Sequence, residues 1–507
     1  MIYKDYEEKN IINKRQLVTK NIGKKKYLYK SKFQFKTKYS LNEIFIFIKI
    51  LYLFILLIYS NFYKSKLFNN NQEIYYSHTK YKNYNKIFEK ECLKKINFGI
   101  FIPGLSNGGR ERITALLINY LTKVNLFNVY LFTKSRKNKY EYKIPENTYR
   151  IYTYGNQDLI NQLIKYKIDV FVYQSYNGYE MELVIKLTSV KTIFYNHSSF
   201  WFWIYFNRVH FIPQLYKIYK NAKYVISLIP FENDFLFKKW GINSILMNNF
   251  VTYEYDDITP SDLTTKNIIM IGRANDRMKR FDIGIKAMKY IVEEVPDSQM
   301  FIISNTYGSG YLVNLVKNLN ISNNVKFVGY ALKPEVYFKN ASLHIFPTII
   351  ECFPMVLSET KIYGIPNIIT GIDYVSAAEG GVININNDDP KAIANESIKI
   401  LKDFNYRKKL GKAARESMKK FRNEITAKKW IELILAVYYG EYYYNKLREE
   451  DKKITEKEAI NYIQNQLNII KIRNKKMNNV TLEDIINFNF ISKYFDKHKY
   501  FYNFFQK

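Results

Sequence analysis

The chain runs to 507 residues, which is enough for two hydrophobic cores rather than one. It is 47% apolar with 36 Phe and 47 Tyr, and this excludes a mainly disordered protein even at a formal charge of +32. Only two cysteines occur, Cys92 and Cys352, without metal-ligand spacing, which excludes a disulfide framework and a structural zinc site. The lean toward Lys, Asn, Ile and Tyr is even along the chain, so its basicity implies attraction to anions without naming a partner.

Residues 1–40 read as a basic disordered tail, with Lys24, Lys25 and Lys26 in a row. Leu41 to Ser60 then reads LNEIFIFIKILYLFILLIYS, close to the ~20 apolar residues that cross a bilayer, and is expected to be a single-pass transmembrane anchor. A mid-span Lys49 costs roughly 2.5 to 3.5 kcal/mol, less than the surrounding Ile, Leu and Phe contribute. No small-residue cleavage signal follows Ser60, which argues against a removable signal peptide. The tail before the span is more basic than the stretch after it, a bias that keeps an N-terminus cytoplasmic. The sequon at Asn196 falls where a glycan would block the expected cleft, and sidedness stays open.

After a linker at 61–94, short apolar runs alternate with stretches of helical period, the signature of a parallel sheet with crossover helices. The first series spans 95–251, with strands expected at Ile96–Ile102, Asn128–Phe132, Val170–Tyr173, Thr192–Tyr195 and Tyr224–Leu228. A polar linker with Pro260 occupies 252–266. The second series spans 267–440, with strands expected at Asn267–Ile271, Met300–Ile303, Val325–Val328, Leu343–Phe346 and Asn367–Thr370. Residues 441–507 read as a charged helical tail.

The segment LHIFPTIIECFPMVLSETKIYGIPNIIT from Leu343 carries most of the chemistry. Pro354 suits the first turn of a helix and Gly364 with Pro366 ends it, so the helix N-terminus opens into the loop holding Glu351 and Cys352. Such a terminus offers unpaired N–H groups and about half a positive charge, which favours phosphate. Glu359 lies within that helix, where its carboxylate suits a diol such as ribose. In NIIMIGRANDRMKRFDIGIKAM, Gly272 permits a tight strand exit and Arg273 stands at the strand's C-terminal edge. Lys279 is preferred over Arg277 and Arg280 as a second cation, because Phe281 to Met288 follows as an amphipathic helix. In IFIPGLSNGGRERITALLINYL, Gly108 and Gly109 let backbone approach a ligand. This is not GxGxxG, and no acid is placed to read a dinucleotide ribose. His197 follows a strand, and the aromatic run Phe200 to Phe206 lines an acceptor site or packs on lipid.

Glu351 and Glu359, with seven residues between them, resemble the signature of family 4 glycosyltransferases. Gly272-Arg273 followed by Lys279 resembles the family's Gly-Arg loop and lysine, at an interval one residue longer than its commonest form. Gly108 to Arg112 looks like its Gly-Gly-x-Glu-Arg opening. The resemblance covers roughly residues 96 to 440 and implies an α/β GT-B fold, two Rossmann-like doubly wound domains facing a cleft. It implies that Glu359 holds the donor ribose, that Glu351 and His197 contact the donor sugar, and that Phe353, Pro354, Met355 and Val356 face the diphosphate. Gly108 and Gly109 lie near the diphosphate or the acceptor, Arg273 and Lys279 meet the phosphate charge, and no metal is used.

The activity so implied is retaining transfer of a hexose from a UDP- or GDP-sugar to a glycan or lipid-linked hydroxyl, with the nucleotide sugar as co-substrate and no cofactor. A catalytically silent, membrane-tethered scaffold that binds nucleotide sugar is the alternative. Nucleic-acid binding lacks any recognised module.

Overall fold

The computed structural model describes residues 94–473, apart from Asn107, Asn177, 207–211, 305–309, Leu332, 372–376, 386–387 and 441–455. The basic tail at 1–40, the anchor at 41–60 and the linker up to residue 93 lie outside the described residues. Among those residues no helix is long and apolar enough to cross a membrane.

The first domain is built from β1 (Ile96–Phe101), α1 (Gly109–Leu121), β2 (Phe127–Thr133), β3 (Tyr149–Tyr152), α2 (Asn156–Lys165), β4 (Val170–Tyr173), α3 (Gly178–Leu187), β5 (Lys191–Tyr195), α4 (Phe200–Tyr205), α5 (Ile212–Asn221), β6 (Tyr224–Ser227), α6 (Pro230–Trp240) and β7 (Ser244–Leu246). The second follows with β8 (Asn267–Ile271), α7 (Phe281–Glu294), β9 (Gln299–Ile303), α8 (Gly310–Asn318), β10 (Val325–Gly329), α9 (Glu335–Lys339), β11 (Leu343–Phe346), α10 (Met355–Ile362), β12 (Asn367–Ile369), β13 (Val382–Asn384), α11 (Pro390–Lys402) and α12 (Phe404–Ser417). Helices α13 (Asn423–Tyr439) and α14 (Glu456–Arg473) complete the described chain.

Two parallel sheets result, ordered β3-β2-β1-β4-β5-β6-β7 and β10-β9-β8-β11-β12-β13. Their central strands are buried on both faces, which is why they read as unbroken apolar runs rather than alternating ones. In each sheet the order reverses beside the first strand, between β1 and β4 and between β8 and β11. The crevice beyond the strand ends at such a reversal is where open α/β sheets bind ligands.

The three strands not expected from the sequence, β3, β7 and β13, all lie at sheet edges. Each has only three or four residues, and β3 and β13 are partly exposed, so no apolar run announces them.

Among the described residues the chain passes between the domains at residues 251–252 and again at α13. At the first crossing the Asn423 side chain accepts from Val251 N–H at 2.8 Å and donates to Val251 C=O at 3.0 Å. At the second, α13 packs on α1 and β4 of the first domain, and the fully buried Trp430 meets Tyr195 edge-on at 5.2 Å.

Candidate active site

The site begins where β8 ends. Gly272 has φ +151, a conformation that favours glycine, and its N–H donates to Ile303 C=O. Next, Arg273 projects with 70% of its side chain exposed and pairs with Asp276 at 2.9 Å. Asp276 also caps the 3-10 turn Arg277–Lys279 by accepting from Met278 N–H. Ile349 N–H donates to Met278 C=O at 2.8 Å, which ties this turn to the loop after β11. Across that tie the Lys279 ammonium pairs with Glu351, each side chain 18% exposed, and lies 5.4 Å from the Phe346 ring centre. Thr348 donates its hydroxyl to the same carboxylate oxygen at 3.3 Å. Of the three cations left open by sequence, Lys279 is the one beside Glu351, whereas Arg280 turns to Asp388 at 2.9 Å.

The loop then enters α10, with Pro354 as its N-cap in extended conformation. A proline carbonyl starts the helix, and the first-turn N–H groups at Met355 and Val356 have no partner within it. Phe353, Pro354 and Met355 are buried and Val356 is partly exposed. A Cβ built on Gly109 would lie 3.7 Å from Met355, so the glycine loop of the first domain stands over the mouth of this helix. At Gly108 the Glu111 carboxylate folds back into the space a side chain there would fill, so a larger residue would displace that carboxylate.

Glu359, one turn further along α10, is almost wholly buried and already ligated. Arg112 of α1 donates to its Oε1 at 2.5 Å, and the Thr252 hydroxyl donates to the same atom at 2.5 Å. Burial pushes the Glu359 carboxyl up, and Arg112 and Thr252 oppose that push by favouring the anion. This pair joins the two domains through the residue expected to hold ribose. Arg112 and Thr252 are neighbours of Glu359 that sequence reasoning missed, although Arg112 stood in the quoted Gly-Gly-x-Glu-Arg run.

His197 lies at the exit of β5 and is largely buried. Its Nε2 is 2.6 Å from Gln174 Oε1; an amide oxygen only accepts, so Nε2 carries the proton and the second nitrogen is free of one. Burial, and after it the nearby Arg110, push the imidazole down to about 3, which keeps it neutral across physiological pH. The His197 carbonyl accepts from the Cys352 thiol at 3.6 Å, so its backbone touches the loop that carries Glu351. Asn196 is buried, its amide donating to Glu232 at 2.9 Å, which leaves that sequon closed to a glycan. The aromatic run is mostly core: Trp201, Trp203 and Ile204 of α4 are buried. Lys361, on α10 beyond Glu359, donates to the carbonyls of Ala377 and Glu379 rather than facing the cleft.

Among the described residues no group of three His, Cys, Asp or Glu is placed to hold a metal ion.

Two cations, a helix mouth and a buried carboxylate thus share the C-terminal edge of one parallel sheet, opposite a glycine loop. Residues 252–417, which carry all of these except the glycine loop and His197, match the family Glycosyl transferases group 1. That segment is a glycosyltransferase group 1 domain. This glycosyltransferase is 23% identical over 291 residues to an uncharacterized glycosyltransferase of Haemophilus influenzae, covering 54% of this chain and 80% of that one. It is also 22% identical over 374 residues to a Campylobacter jejuni alpha-1,4-N-acetyl-D-galactosaminyltransferase whose named substrate is an undecaprenol diphosphate-linked saccharide. That match covers 68% of this chain and 99% of the relative. The sucrose-phosphate synthase of Thermosynechococcus elongatus shares the fold at a TM-score of 0.59 and 17% identity, over 68% of this glycosyltransferase and all of that chain. The architecture is therefore GT-B-like.

Proposed function

We propose that this glycosyltransferase moves a hexose from a UDP- or GDP-sugar to a hydroxyl of a glycan or lipid-linked acceptor, with retention of anomeric configuration. The observation that carries the reading is the convergence of Arg273, the Lys279–Glu351 pair and the mouth of α10, within reach of Glu359 and under Gly109. Breaking the bond from the sugar's anomeric carbon to the diphosphate leaves negative charge on phosphate oxygen. Fixed cations and helix N–H groups stabilise that charge without reorganising. The acceptor oxygen forms its bond to the anomeric carbon on the face the diphosphate leaves, and its proton passes to the departing phosphate oxygen. Glu351 orients the sugar, neutral His197 contacts it, and Glu359 takes the ribose hydroxyls in place of Arg112. In this reading no divalent ion takes part, so a chelator leaves the rate unchanged.

The same proposal keeps residues 41–60 as a single-pass anchor that holds the catalytic domains beside a lipid-linked acceptor. The Campylobacter relative, by its name, acts on an acceptor of that kind.

The test offers the full-length protein a panel of UDP- and GDP-sugars with simple glycoside acceptors, reading free nucleotide and the anomer formed. Nucleotide release with one donor and a retained anomer is expected. An inverted product overturns the stereochemistry, and donor binding without release from any sugar leaves the silent scaffold instead. Membranes bearing the chain should hold it through alkaline carbonate extraction; its release removes the anchor.

A further inference from the structure

The C-terminal helix α14 lies beyond the segment matched to the family, and it ends in the donor side of the second domain. One stripe, Ile463, Leu467 and Ile470, is buried in the core that includes the first-domain strands, and α14 packs against α6. These apolar contacts suffice to dock a helix. Its last described residue does something different.

The Arg473 side chain is 2% exposed, and a guanidinium taken out of water needs charged and hydrogen-bonded ligands. It donates to the carbonyl of Thr370, just past β12, and pairs with Asp388 at 3.2 Å. Both ligands belong to the second domain. Asp388 is shared, because Arg280 donates to its other oxygen at 2.9 Å. Arg280 follows Lys279 directly and sits at φ +50, a left-handed conformation uncommon for a side chain of its size and held here by its partners. From the other ligand, the Thr370 hydroxyl reaches Thr348 C=O at 3.5 Å, and Thr348 donates to Glu351. Two routes therefore run from one guanidinium, through Asp388 and Arg280 toward Lys279, and through Thr370 and Thr348 toward Glu351. Tyr205 of α4 closes the cluster from the first domain, its phenol raised by burial and by Asp388 and drawn back by Arg473 and Arg280.

We propose that Arg473 is a positioning residue for the donor site, holding both members of the Lys279–Glu351 pair in register from a helix outside the catalytic fold. The inference rests on the donor-site reading above. Removing the guanidinium leaves Asp388 to pull on Arg280 alone and frees the Thr370 carbonyl, so the two loops lose their common anchor.

The test compares Arg473→Met, Arg473→Lys and Asp388→Asn in the full-length protein. Amide hydrogen exchange without any ligand should rise at 276–282 and 347–353 in Arg473→Met while α1 keeps its protection. With the donor that the wild type turns over best, kcat should fall about tenfold while the Kd for UDP or GDP, held by Glu359, changes less than about twofold. Arg473→Lys should recover part of the loss, and adding Asp388→Asn to Arg473→Met should cost little more, as expected of residues in one network. Unchanged exchange in both loops overturns the proposal, as does exchange that rises evenly everywhere with a lowered melting temperature. If Arg473→Met does not fold, Asp388→Asn reads the same coupling from the second domain, and flat exchange there is equally decisive. Should the wild type release nucleotide from no donor, the proposed function fails while the exchange result still decides the role of Arg473.

Discussion

The two walls of the cleft are built differently. On the second domain, the Lys279–Glu351 pair stands on adjoining loops of one sheet, tied together by the Met278 to Ile349 hydrogen bond and by Thr348. On the first domain, Gly109 and Arg112 share the first turn of α1 and His197 follows β5, and each meets the second domain through a single contact: Met355, Glu359 and the Cys352 thiol. One wall is prebuilt for charge, and the other completes it by approach. Chemistry should therefore be most sensitive to the second wall, and nucleotide affinity and stability to the contacts between the walls.

The largest expected effect is on the prebuilt wall. Lys279→Ala should lower single-turnover transfer by roughly one to three decades, with an unchanged far-ultraviolet circular dichroism spectrum. A rate within twofold of wild type would break the comparison, since the wall would then not supply phosphate stabilisation. Next, Glu359→Gln should weaken UDP or GDP binding about tenfold or more by isothermal calorimetry, because it alters the carboxylate proposed to take the ribose and held by Arg112. An unchanged Kd would remove Glu359 from the nucleotide site.

Arg112→Met should act on stability. Breaking the contact to buried Glu359 strands a carboxylate, although Arg112 keeps 31% of its side chain exposed, so about 2 kcal/mol is expected in chemical denaturation rather than the larger cost of a fully buried pair. The surface pair Lys402–Glu294, with side chains 50% and 58% exposed, is the control: Lys402→Ala should change stability by less than about 0.5 kcal/mol. Equal losses in the two variants would mean that the cross-domain contact is an ordinary surface ion pair.

A pH series sharpens the same contrast with the smallest effect. His197 is held down at about 3 and His344 at about 4, both first by burial, so the unfolded chain takes up protons at these positions at higher pH than the folded one does. Stability should be full above about pH 6.5, where unfolded histidine is neutral, and decline as pH falls toward 4. The transfer rate should show no inflection near 6.5 assignable to His197. An inflection that disappears in His197→Gln would show that the imidazole titrates in the working enzyme.

Much of the fold was legible because central parallel strands are apolar without interruption: Val170–Tyr173 and Leu343–Phe346 are fully buried and were bounded to the residue. Of the edge strands, β10 was expected, while β3 and β13 escaped because partial exposure leaves a short mixed run such as Tyr149–Tyr152. The second wall was legible for a similar reason of locality. The residues of α10 and its preceding loop lie in one segment whose Pro354 and Gly364 mark helix start and stop. The ligation of Glu359 was not legible, since Arg112 stands 247 positions away and only the packing of α1 against the second domain brings it near. Gln174 beside His197 and Asp388 beside Arg280 belong to the same class. Arg473 was hidden further, in a tail whose charge masked the three-residue apolar stripe of α14.

The contact of Trp430 with Tyr195 bears on synthesis as well as on stability. The interior of the first domain is finished by a residue from near the end of the second, so the ribosome releases β5 long before its covering indole exists. At roughly 5 to 20 residues per second, the nascent first domain waits on the order of ten seconds or more with an uncovered apolar face, a window in which chaperones have something to bind.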